Sequence, residues 1–487
     1  MNERYEPVIG IECHVELKTA TKMFCGCCNE FGGEPNTKIC PVCLGLPGAL
    51  PVPNRRAIEH IVTVGVAFGS TIAEFSKFDR KNYFYPDMPK DYQISQYDMP
   101  VAAGGSVKYW IEDGELRECR LTRVHLEEDT GKSTHAGSTD GRIAGSEYSL
   151  IDFNRAGVPL MECVSEPDLR SAQEAVAYLE ALRRTLLALG VSDVKMEEGS
   201  LRCDANVSVR PVGSSSYGTK TEIKNMNSFR SVERAIASEV ARQIAIVESG
   251  GRIEQETRGW DEINGVTHSM RSKEEAHDYR YFPDPDLVPL EISPAEVRRV
   301  TQTLPELPAQ RFERYTARYS IAPRQTAQLI DNPALAGYFE RVLALGARPA
   351  QAINFVLGDL SRLANETGVA VAESAVTPEY LSGVIALVED RRITSKVAKD
   401  VLARCWHGEG APAAIVEREG LARQSDTGAL VPLVDQMLAA HPAVVADYRA
   451  GKQNVLGFLV GLVMKASRGT ADPVVVKELL NERLSSG

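Results

Sequence analysis

The chain has 487 residues, of which 43% are hydrophobic and 25% charged, and its formal net charge is −11. A chain of this length normally folds as about two to four domains. The acidic balance argues against a dedicated nucleic-acid-coating protein, although a local basic patch can still bind RNA, so charge alone leaves an RNA partner open. The longest apolar run, residues 455–464, is too short to cross a bilayer, and no apolar leader opens the chain. We therefore expect a cytoplasmic protein without a membrane segment.

The first predicted strand, residues 8–17, alternates with the period of a β-strand. Its apolar residues share one face, and Glu12, His14 and Glu16 share the other. Taken alone, this polar face fits either a solvent-exposed surface or a functional site.

Five of the ten cysteines lie between residues 25 and 43. Cys25, Cys27 and Cys28 form one group, and Cys40 and Cys43 form a second. Thiolates with this spacing converge on one tetrahedral ion, usually Zn²⁺, in a closed structural site. The alternatives are ordinary reduced cysteines or a redox pair.

Two later strands carry acidic residues in the same manner. Residues 123–129 place His125, Glu127 and Asp129 on one face, and residues 158–164 are apolar except for Glu162. A carboxylate in an apolar strand is costly unless it is paired or binds a metal. Carboxylates and a histidine on neighbouring strands suit Mg²⁺, so we favour a cation site over a solvated face.

The segment Gly131-Lys132-Ser133-Thr134 resembles the end of a phosphate-binding loop. That motif requires a glycine five positions before Gly131, where this chain has Leu126. A Walker-type loop is therefore not expected, although Lys132 and Ser133 could still contact a nucleotide.

One helix is clearly predicted within the first 292 residues. Ser171 and Glu174 form a capping box, an apolar stripe follows, and Gly190 ends the helix. The other segments read as strands separated by turn residues, including residues 197–206, which place Arg202, Asp204 and Asn206 on one face. The pattern predicts an α+β domain built on a largely antiparallel sheet.

The remainder of the chain is predicted to be helical. Ser293, Pro294 and Glu296 form a helix start, and Thr377 and Pro378 form another. We predict three domains: 1–292, a helical domain over 293–405 and a small helical tail domain over 406–487. In the tail, the basic residues that flank the apolar segment could contact phosphates or form a solvated rim: Lys452, Lys465 and Arg468.

Long motifs of the chain closely resemble the B subunit of the bacterial tRNA-dependent amidotransferases, the GatB family. They include IGIECHVEL (9–17), KFDRKNYFYPDMPKDYQISQ (77–96), RVHLEEDTGKSTH (123–135), DFNRAGVPLMECVSEPD (152–168) and GFLVGLVMKASRG (457–469). The resemblance begins near residue 5 and extends almost to the end of the chain.

The resemblance implies a fold and an activity. The family's catalytic domain resembles that of glutamine synthetase, with Mg²⁺ held on an antiparallel sheet. The family uses ATP to phosphorylate the side-chain carboxylate of glutamate or aspartate on a mischarged tRNA. Ammonia from a partner amidase (glutaminase), the A subunit, then displaces the phosphate to give Gln-tRNA or Asn-tRNA. A small C subunit links the two larger ones in a heterotrimer.

The resemblance also implies roles for individual residues. Those that hold the cation would be Glu12, His14, Glu127 and Glu162, with Glu16 and Glu128 as second choices. Those near the acceptor and ammonia path would be Lys81 and Tyr83. Those that neutralise phosphate or carboxylate charge would be Arg155 and Arg202. The zinc ligands would be Cys25, Cys27, Cys40 and Cys43, although Cys28 could pair with Cys25 in place of Cys27. The basic residues of the tail domain, Lys452, Lys465 and Arg468, would contact tRNA.

Two other functions stay open from the sequence. A non-catalytic tRNA-binding scaffold would leave the transfer chemistry to its partner, and a free-standing ligase would make an amide on a small molecule. The chain has no Gly/Ser-rich nucleophile loop with a partner lysine, so a self-sufficient amidase is not expected.

Overall fold

The computed structural model describes residues 4–137, 145–272, 276–450 and 452–485. The chain divides into two compact units, Met1–Arg311 and Phe312–Gly487. The first is mixed α/β with a large sheet, and the second is helical, which confirms the predicted classes. The three-domain division with boundaries near 293 and 405 stays a prediction.

The strands lie in the first unit and are numbered in chain order. They are β1 (Tyr5–Glu16), β2 (Thr71–Ile72), β3 (Phe75–Ser76), β4 (Asp79–Asn82), β5 (Tyr92–Ser95), β6 (Ala102–Ala103), β7 (Ser106–Trp110), β8 (Leu116–Glu128), β9 (Lys132–Ala136), β10 (Tyr148–Asp152), β11 (Pro159–Ser165), β12 (Leu201–Pro211), β13 (Thr221–Lys224), β14 (Glu256–Asp261), β15 (Val266–Ser272), β16 (Phe282–Pro283) and β17 (Leu290–Glu291).

Ten described strands form one sheet with the order β15-β14-β13-β12-β1-β11-β8-β6-β2, and β7 pairs with β8 off this path. Strand β1 lies between β11 and β12, both antiparallel to it. Strands β13 and β14 are parallel, whereas the other pairs of this sheet are antiparallel within the described residues. The predicted, largely antiparallel sheet is confirmed.

Four helices accompany the sheet: α1 (Arg55–Ala67), α2 (Ala172–Leu189), α3 (Phe229–Glu248) and α4 (Pro294–Thr303). Helix α2 begins where the sequence predicts, because the Ser171 hydroxyl accepts a hydrogen bond from the Glu174 amide at 3.0 Å. The Glu174 carboxylate reaches back to the amide of Arg170 at 2.8 Å, one residue before the position that a capping box expects. Gly190 ends the helix in the left-handed conformation.

Helices α1 and α3 were not predicted. Asn54 and Ser228 cap their amino ends. Helix α1 contains β-branched residues that also favour strands, and tertiary packing overrides this local preference. Its buried side chains, among them Ile61 and Val64, belong to the main hydrophobic core.

That core covers one face of the sheet. The predicted apolar side of β1 is confirmed, because Ile11, Cys13 and Val15 are no more than 1% exposed. Helix α2 contributes Leu179, Leu182 and others to the same core. The opposite face of β1 is therefore the one that can meet a ligand.

The second unit is helical. The boundary between the units lies within helix α5 (Pro308–Tyr319), and a π-helical segment covers Phe355–Leu360. The helices that follow α5 are α6 (Pro323–Ile330), α7 (Pro333–Ala344), α8 (Pro349–Asn354), α9 (Ser361–Thr367), α10 (Pro378–Glu389), α11 (Ser395–Trp406), α12 (Pro412–Arg418), α13 (Thr427–Ala440), α14 (Pro442–Arg449), α15 (Val455–Ala466) and α16 (Pro473–Ser485). Ser293 caps α4 and Thr377 caps α10, as predicted.

The hydrophobic side chains of this unit form two clusters. One runs from Tyr315 to Leu421, and the other from Leu430 to Leu484. Among the described residues, no single helix is long and apolar enough to cross a membrane; α13 and α14 reach that length only as a pair bent by 91°.

Leu182→Ala is expected to destabilise the first unit by about 2–5 kcal/mol, because it removes a fully buried side chain and leaves a cavity. Leu187→Ala on the same helix is the matched control, since Leu187 is 43% exposed. Urea unfolding monitored by proteolysis of the first unit measures the difference. Equal losses in the two variants would contradict the assigned helix face.

Candidate active site

The polar face of β1 lies in the middle of the sheet, and the pairing register brings its side chains beside those of three other strands. His14 is opposite Glu162 of β11 and Arg202 of β12. Glu162 is in turn opposite His125 of β8, and Leu160 is opposite Glu127. Because directly paired residues on one face are neighbours, this register alone gathers acidic and imidazole groups from separate strands.

His14 lies at the centre of this group. Its Nε2 atom is 3.6 Å from a carboxylate oxygen of Glu127, 3.6 Å from one of Glu162 and 3.8 Å from one of Glu12. The structure thus brings together the four residues predicted to hold the cation. Glu127 and Glu162 are buried, whereas Glu12 and His14 are partly exposed on the open side.

The charges of this cluster are unbalanced towards negative. Burial lowers the pKa of His14, but Glu162, Glu127 and Glu12 outweigh burial and raise it to about 9. Burial and the nearby Glu162 raise the pKa of Glu12. Either a proton on His14 or a bound divalent cation can supply the positive charge that these carboxylates demand, because His14 can bind a cation only after it gives up that proton. Such an oxygen-rich, electron-rich donor set fits a hard divalent cation such as Mg²⁺.

His125 was not among the predicted ligands, yet it belongs to the cluster. Its Nε2 atom is 3.3 Å from Glu162 and 3.9 Å from Glu127. Burial opposes the ionisation of Glu162, but His125 and His14 hold its pKa well below the usual range. Ser95 donates a hydrogen bond to Glu127 at 3.1 Å. Both carboxylates are thus held in place by neighbours that stabilise the ionised form.

Asp204 is a further carboxylate that the sequence did not assign. It is opposite Glu12 in the β1–β12 register. One ligand atom each from Glu12, His14 and Asp204 lies within 4.8 Å of the others, as does one each from His14, Glu127 and Glu162. Alternation placed Asp204 on a polar strand face, but only the strand pairing shows that this face meets Glu12.

The other end of the site holds arginines. Arg202 contacts the buried Asp129 at 2.6 Å, and Arg155 approaches the same carboxylate at 3.6 Å. Burial opposes the ionisation of Asp129, but Arg202 and Arg155 hold the pKa of this carboxyl group below its usual range. Burial and Asp129 raise the pKa of Glu16 to about 8. Glu16, a second-choice ligand, therefore lies with this arginine group. The buried Nε atom of Arg202 has no hydrogen-bond partner within the described residues.

Other predicted residues are placed differently. Glu128 is buried in an ion pair with Lys90, and it accepts the amide hydrogen of Ile94 at 2.9 Å. The carboxylate of Glu128 therefore already has an ion-pair partner and a hydrogen-bond donor outside the His14 cluster. The ring of Tyr83 packs edge-on against Tyr279 at 6.4 Å, and burial and then the carboxylates of Asp87 and Glu127 raise its pKa above the usual range. The Nζ atom of Lys81 lies 4.9 Å from the centre of the Tyr279 ring.

The segment around Gly131 forms no phosphate loop. Lys132 and Ser133 begin strand β9, which pairs with β10, whereas a Walker loop leads into a helix. The expectation from the sequence is confirmed on this point. A nucleotide contact of these two side chains stays a prediction.

The cysteines of the amino-terminal segment converge. The sulfur atoms of Cys25, Cys27, Cys40 and Cys43 all lie within 4.8 Å of one another. Cys28 is exposed and lies outside this group, so the structure favours Cys27 as the ligand. A hydrogen bond from Cys25, with further help from the Cys40 amide, lowers the pKa of Cys43 to about 5. Four clustered sulfurs of this kind suit Zn²⁺.

This cysteine cluster is joined to the active-site turn before β11. Lys22 is fully buried, and its Nζ atom lies 3.9 Å from the Cys43 sulfur and donates to the carbonyl of Lys38 at 2.7 Å. The same atom is 3.4 Å from the carbonyl of Phe153. Gly157 has a φ of +86°, and a Cβ atom there would meet the Cys43 side chain at 3.4 Å.

The three tail cations lie around α15. Lys465 is exposed in its last turn, Arg468 is exposed just beyond it, and Lys452 precedes the helix. Lys452 forms an ion pair with Asp447 at 2.9 Å. Lys465 and Arg468 are therefore the stronger candidates for a phosphate contact.

Comparison with known proteins gives the same family at both ends of the chain. Residues 7–298 match the GatB/GatE catalytic domain, and residues 337–484 match the GatB domain. The B subunit of the aspartyl/glutamyl-tRNA(Asn/Gln) amidotransferase from Moorella thermoacetica is 54% identical, with 99% of this chain and 100% of that protein covered.

Two further relatives carry the same name. The protein from Trichlorobacter lovleyi is 50% identical, with 99% of this chain and all of that protein covered. The protein from Thermosynechococcus vestitus is 49% identical, with 99% and 97% covered. The chain belongs to the family of B subunits of the aspartyl/glutamyl-tRNA(Asn/Gln) amidotransferases, which form part of a ligase complex.

Proposed function

We propose that this chain activates the side-chain carboxylate of glutamate or aspartate on a mischarged tRNA by phosphorylation with ATP. The observation that carries the proposal is the group of carboxylates from β1, β8 and β11 around His14. The oxygen-rich face it forms suits the cation chemistry of phosphoryl transfer. The likeness to the glutamine synthetase fold remains part of this proposal.

The reaction has two steps. A carboxylate oxygen of the substrate attacks the γ-phosphorus of ATP, the bond to the bridging oxygen breaks, and ADP leaves. Ammonia then attacks the carbonyl carbon of the acyl phosphate, the carbon–oxygen bond to phosphate breaks, and the amide and inorganic phosphate form. Phosphorylation is needed because an ionised carboxylate is a poor electrophile with no leaving group.

The residues that would hold Mg²⁺ are Glu12, His14, Glu127 and Glu162, and Asp204 extends the set on the β12 side. The cation, when bound, neutralises phosphate charge and aligns the reacting oxygens. The neighbouring His125 and Ser95 orient the carboxylates of Glu162 and Glu127.

The arginine end of the site suits the phosphates of ATP. Arg155 and Arg202 converge on Asp129, and the guanidinium of Arg202 retains a buried N–H without a partner within the described residues. A phosphate oxygen would satisfy it and share the charge of both arginines. Lys132 and Ser133, which follow Asp129 closely in sequence, are weaker candidates for the same nucleotide.

The partners follow from the second step. Free ammonia is scarce at neutral pH, so a glutaminase, the A subunit, would supply it, and a small C subunit would join the two in a cytoplasmic heterotrimer. Lys81 and Tyr83 would line the approach to the acyl group. In support of this, burial raises the pKa of Tyr83, and the charges of Asp87 and Glu127 raise it further.

Two elements would serve binding and stability. Lys465 and Arg468, with Lys452, would contact the phosphate backbone of tRNA.

The cluster of Cys25, Cys27, Cys40 and Cys43 would hold a structural Zn²⁺. Four thiolates leave no open coordination position, so this ion would take no part in the reaction.

Glu127→Gln is expected to lower both the tRNA-dependent conversion of ATP to ADP and the formation of amidated tRNA by at least about 100-fold. The amide keeps the shape of the side chain but removes its charge. Single-turnover assays on the assembled complex with Glu-tRNA and Asp-tRNA measure both steps.

Glu118→Gln is the matched control, because Glu118 lies exposed on the same strand β8. It is expected to retain both activities. A Glu127→Gln complex that still consumed ATP and made amide would identify a scaffold, and ATP consumption driven by free glutamate would identify a small-molecule ligase.

Metal analysis of the purified protein is expected to find about one zinc ion per chain. Cys40→Ser should lose that zinc and lower the melting temperature, because the loop is no longer held. Cys28→Ser is the matched control and should keep the metal. Loss of zinc from Cys28→Ser, with retention in Cys27→Ser, would reverse the assignment of these two ligands.

The double variant Lys465→Ala with Arg468→Ala is expected to weaken tRNA binding several-fold and to reduce its salt dependence, because two phosphate contacts are lost. Arg483→Ala is the control, since Arg483 is already paired with Asp435 at 3.1 Å. Filter binding at several salt concentrations compares them. An unchanged salt slope in the double variant would show that this end of the tail does not touch the tRNA backbone.

A further inference from the structure

A group of tyrosines lies beside the carboxylate cluster, and of its members only Tyr83 has a part in the chemistry described so far. The rings of Tyr97 and Tyr281 are stacked, with centroids 4.5 Å apart and an interplanar angle of 13°. Tyr279 meets Tyr281 edge-on at 6.2 Å, and Tyr83 meets Tyr279 edge-on at 6.4 Å. Two segments more than 180 residues apart in sequence thus build one aromatic surface, in which Tyr279 packs edge-on against the stacked pair.

This surface is next to the cation-binding residues. Tyr97 follows Ser95, the residue that donates to Glu127, by two positions, and its own amide donates to the buried Asp79 at 3.1 Å. Burial raises the pKa of Tyr281 above its usual range, and the charges of Glu127 and Glu162 raise it further. The stacked pair therefore lies within reach of the electric field of both carboxylates.

The surface is also open. Tyr97 is 43% exposed and Tyr281 is half-buried. A cation lies alongside, with the Lys81 ammonium 4.9 Å from the centre of the Tyr279 ring. A partly exposed aromatic surface flanked by positive charge is the arrangement that binds single-stranded nucleic acid, because any base can stack on it.

We propose that Tyr97 and Tyr281 form a stacking platform for the terminal adenine of the tRNA acceptor end. This inference rests on the proposed function, since the aminoacyl group is esterified to that nucleotide. Stacking the base on the platform would place the side-chain carboxylate of the amino acid towards Glu127 and Glu162. The platform would thus be a binding element for the acceptor end.

The adenine of ATP is the competing occupant, and the charge distribution disfavours it. The phosphate-binding arginines Arg155 and Arg202 gather at Asp129. Arg123, which lies 3.9 Å from Glu162 and whose charge acts on Tyr281, precedes Asp129 by six residues, which is roughly 20 Å along an extended strand. In this proposal the triphosphate lies at the arginines, the base lies on the stacked rings, and the acyl group lies at the carboxylates between them.

The test uses the assembled complex and Glu-tRNA whose terminal adenine is replaced by 2-aminopurine, a base whose fluorescence falls when it stacks. Tyr97→Ala is expected to abolish the fluorescence decrease on binding and to raise KM for the charged tRNA about tenfold, with KM for ATP unchanged. Tyr97→Phe keeps the aromatic ring, so it should retain the fluorescence decrease and the unaltered KM for the charged tRNA. Tyr217→Ala, at an exposed tyrosine of the same unit, is the matched control.

Two results would overturn the platform. One is a fluorescence decrease that persists in both Tyr97→Ala and Tyr281→Leu, and the other is a selective rise in KM for ATP, which would assign the rings to the nucleotide. Glu127→Gln separates this inference from the proposed function. It should abolish turnover while leaving the fluorescence decrease intact, so a failure of the chemistry and a failure of the platform give different results.

Discussion

The need to compensate buried negative charge governs the face of the sheet on which the site is built. Glu127 and Glu162 are shielded from water, and Glu12 and Asp204 stand close by. Ionised carboxylates at such positions are costly unless a positive charge accompanies them. A proton on His14 can provide part of that charge, and a divalent cation would take the place of that proton when His14 binds it as the neutral imidazole. The stability of this region and its capacity for chemistry therefore depend on the same electrostatic imbalance.

Strand pairing converts that imbalance into a site. Shifting β1 by one residue against β11 would turn Glu12, His14 and Glu16 into the apolar core, so the register is strongly fixed by burial on the opposite face. The fully buried Ile11, Cys13 and Val15 provide that constraint. Packing on one side of the sheet thus determines the spacing of charges on the other, and the arginine group around Asp129 follows from the same alignment.

Much of this arrangement could be predicted from local pattern. Alternation along β1 and β8 identified the polar faces, and a single carboxylate in an apolar strand identified Glu162 on β11. Capping residues identified helix α2 and the start of α4. What local pattern does not contain is the order of strands in the sheet. Asp204 and His125 were recognised as polar side chains on strands, but their approach to Glu12 and Glu162 depends on which strands are neighbours and in what register. The stacking of Tyr97 on Tyr281 was not predicted for the same reason, because it joins segments that are distant in the sequence.

Lys22 would couple the folding of β11 to the proposed zinc site. An ammonium group enclosed in the interior needs acceptors on several sides, and here they come from the loop at Lys38, the sulfur of Cys43 and the turn at Phe153. Two of these acceptors, the carbonyl of Lys38 and the sulfur of Cys43, belong to the cysteine loop and reach Lys22 only when that loop has closed. Because that turn leads directly into β11, a newly made chain starved of the metal would have difficulty seating the strand that carries Glu162. A structural ion at the periphery would then act as a checkpoint for assembly of the reactive face.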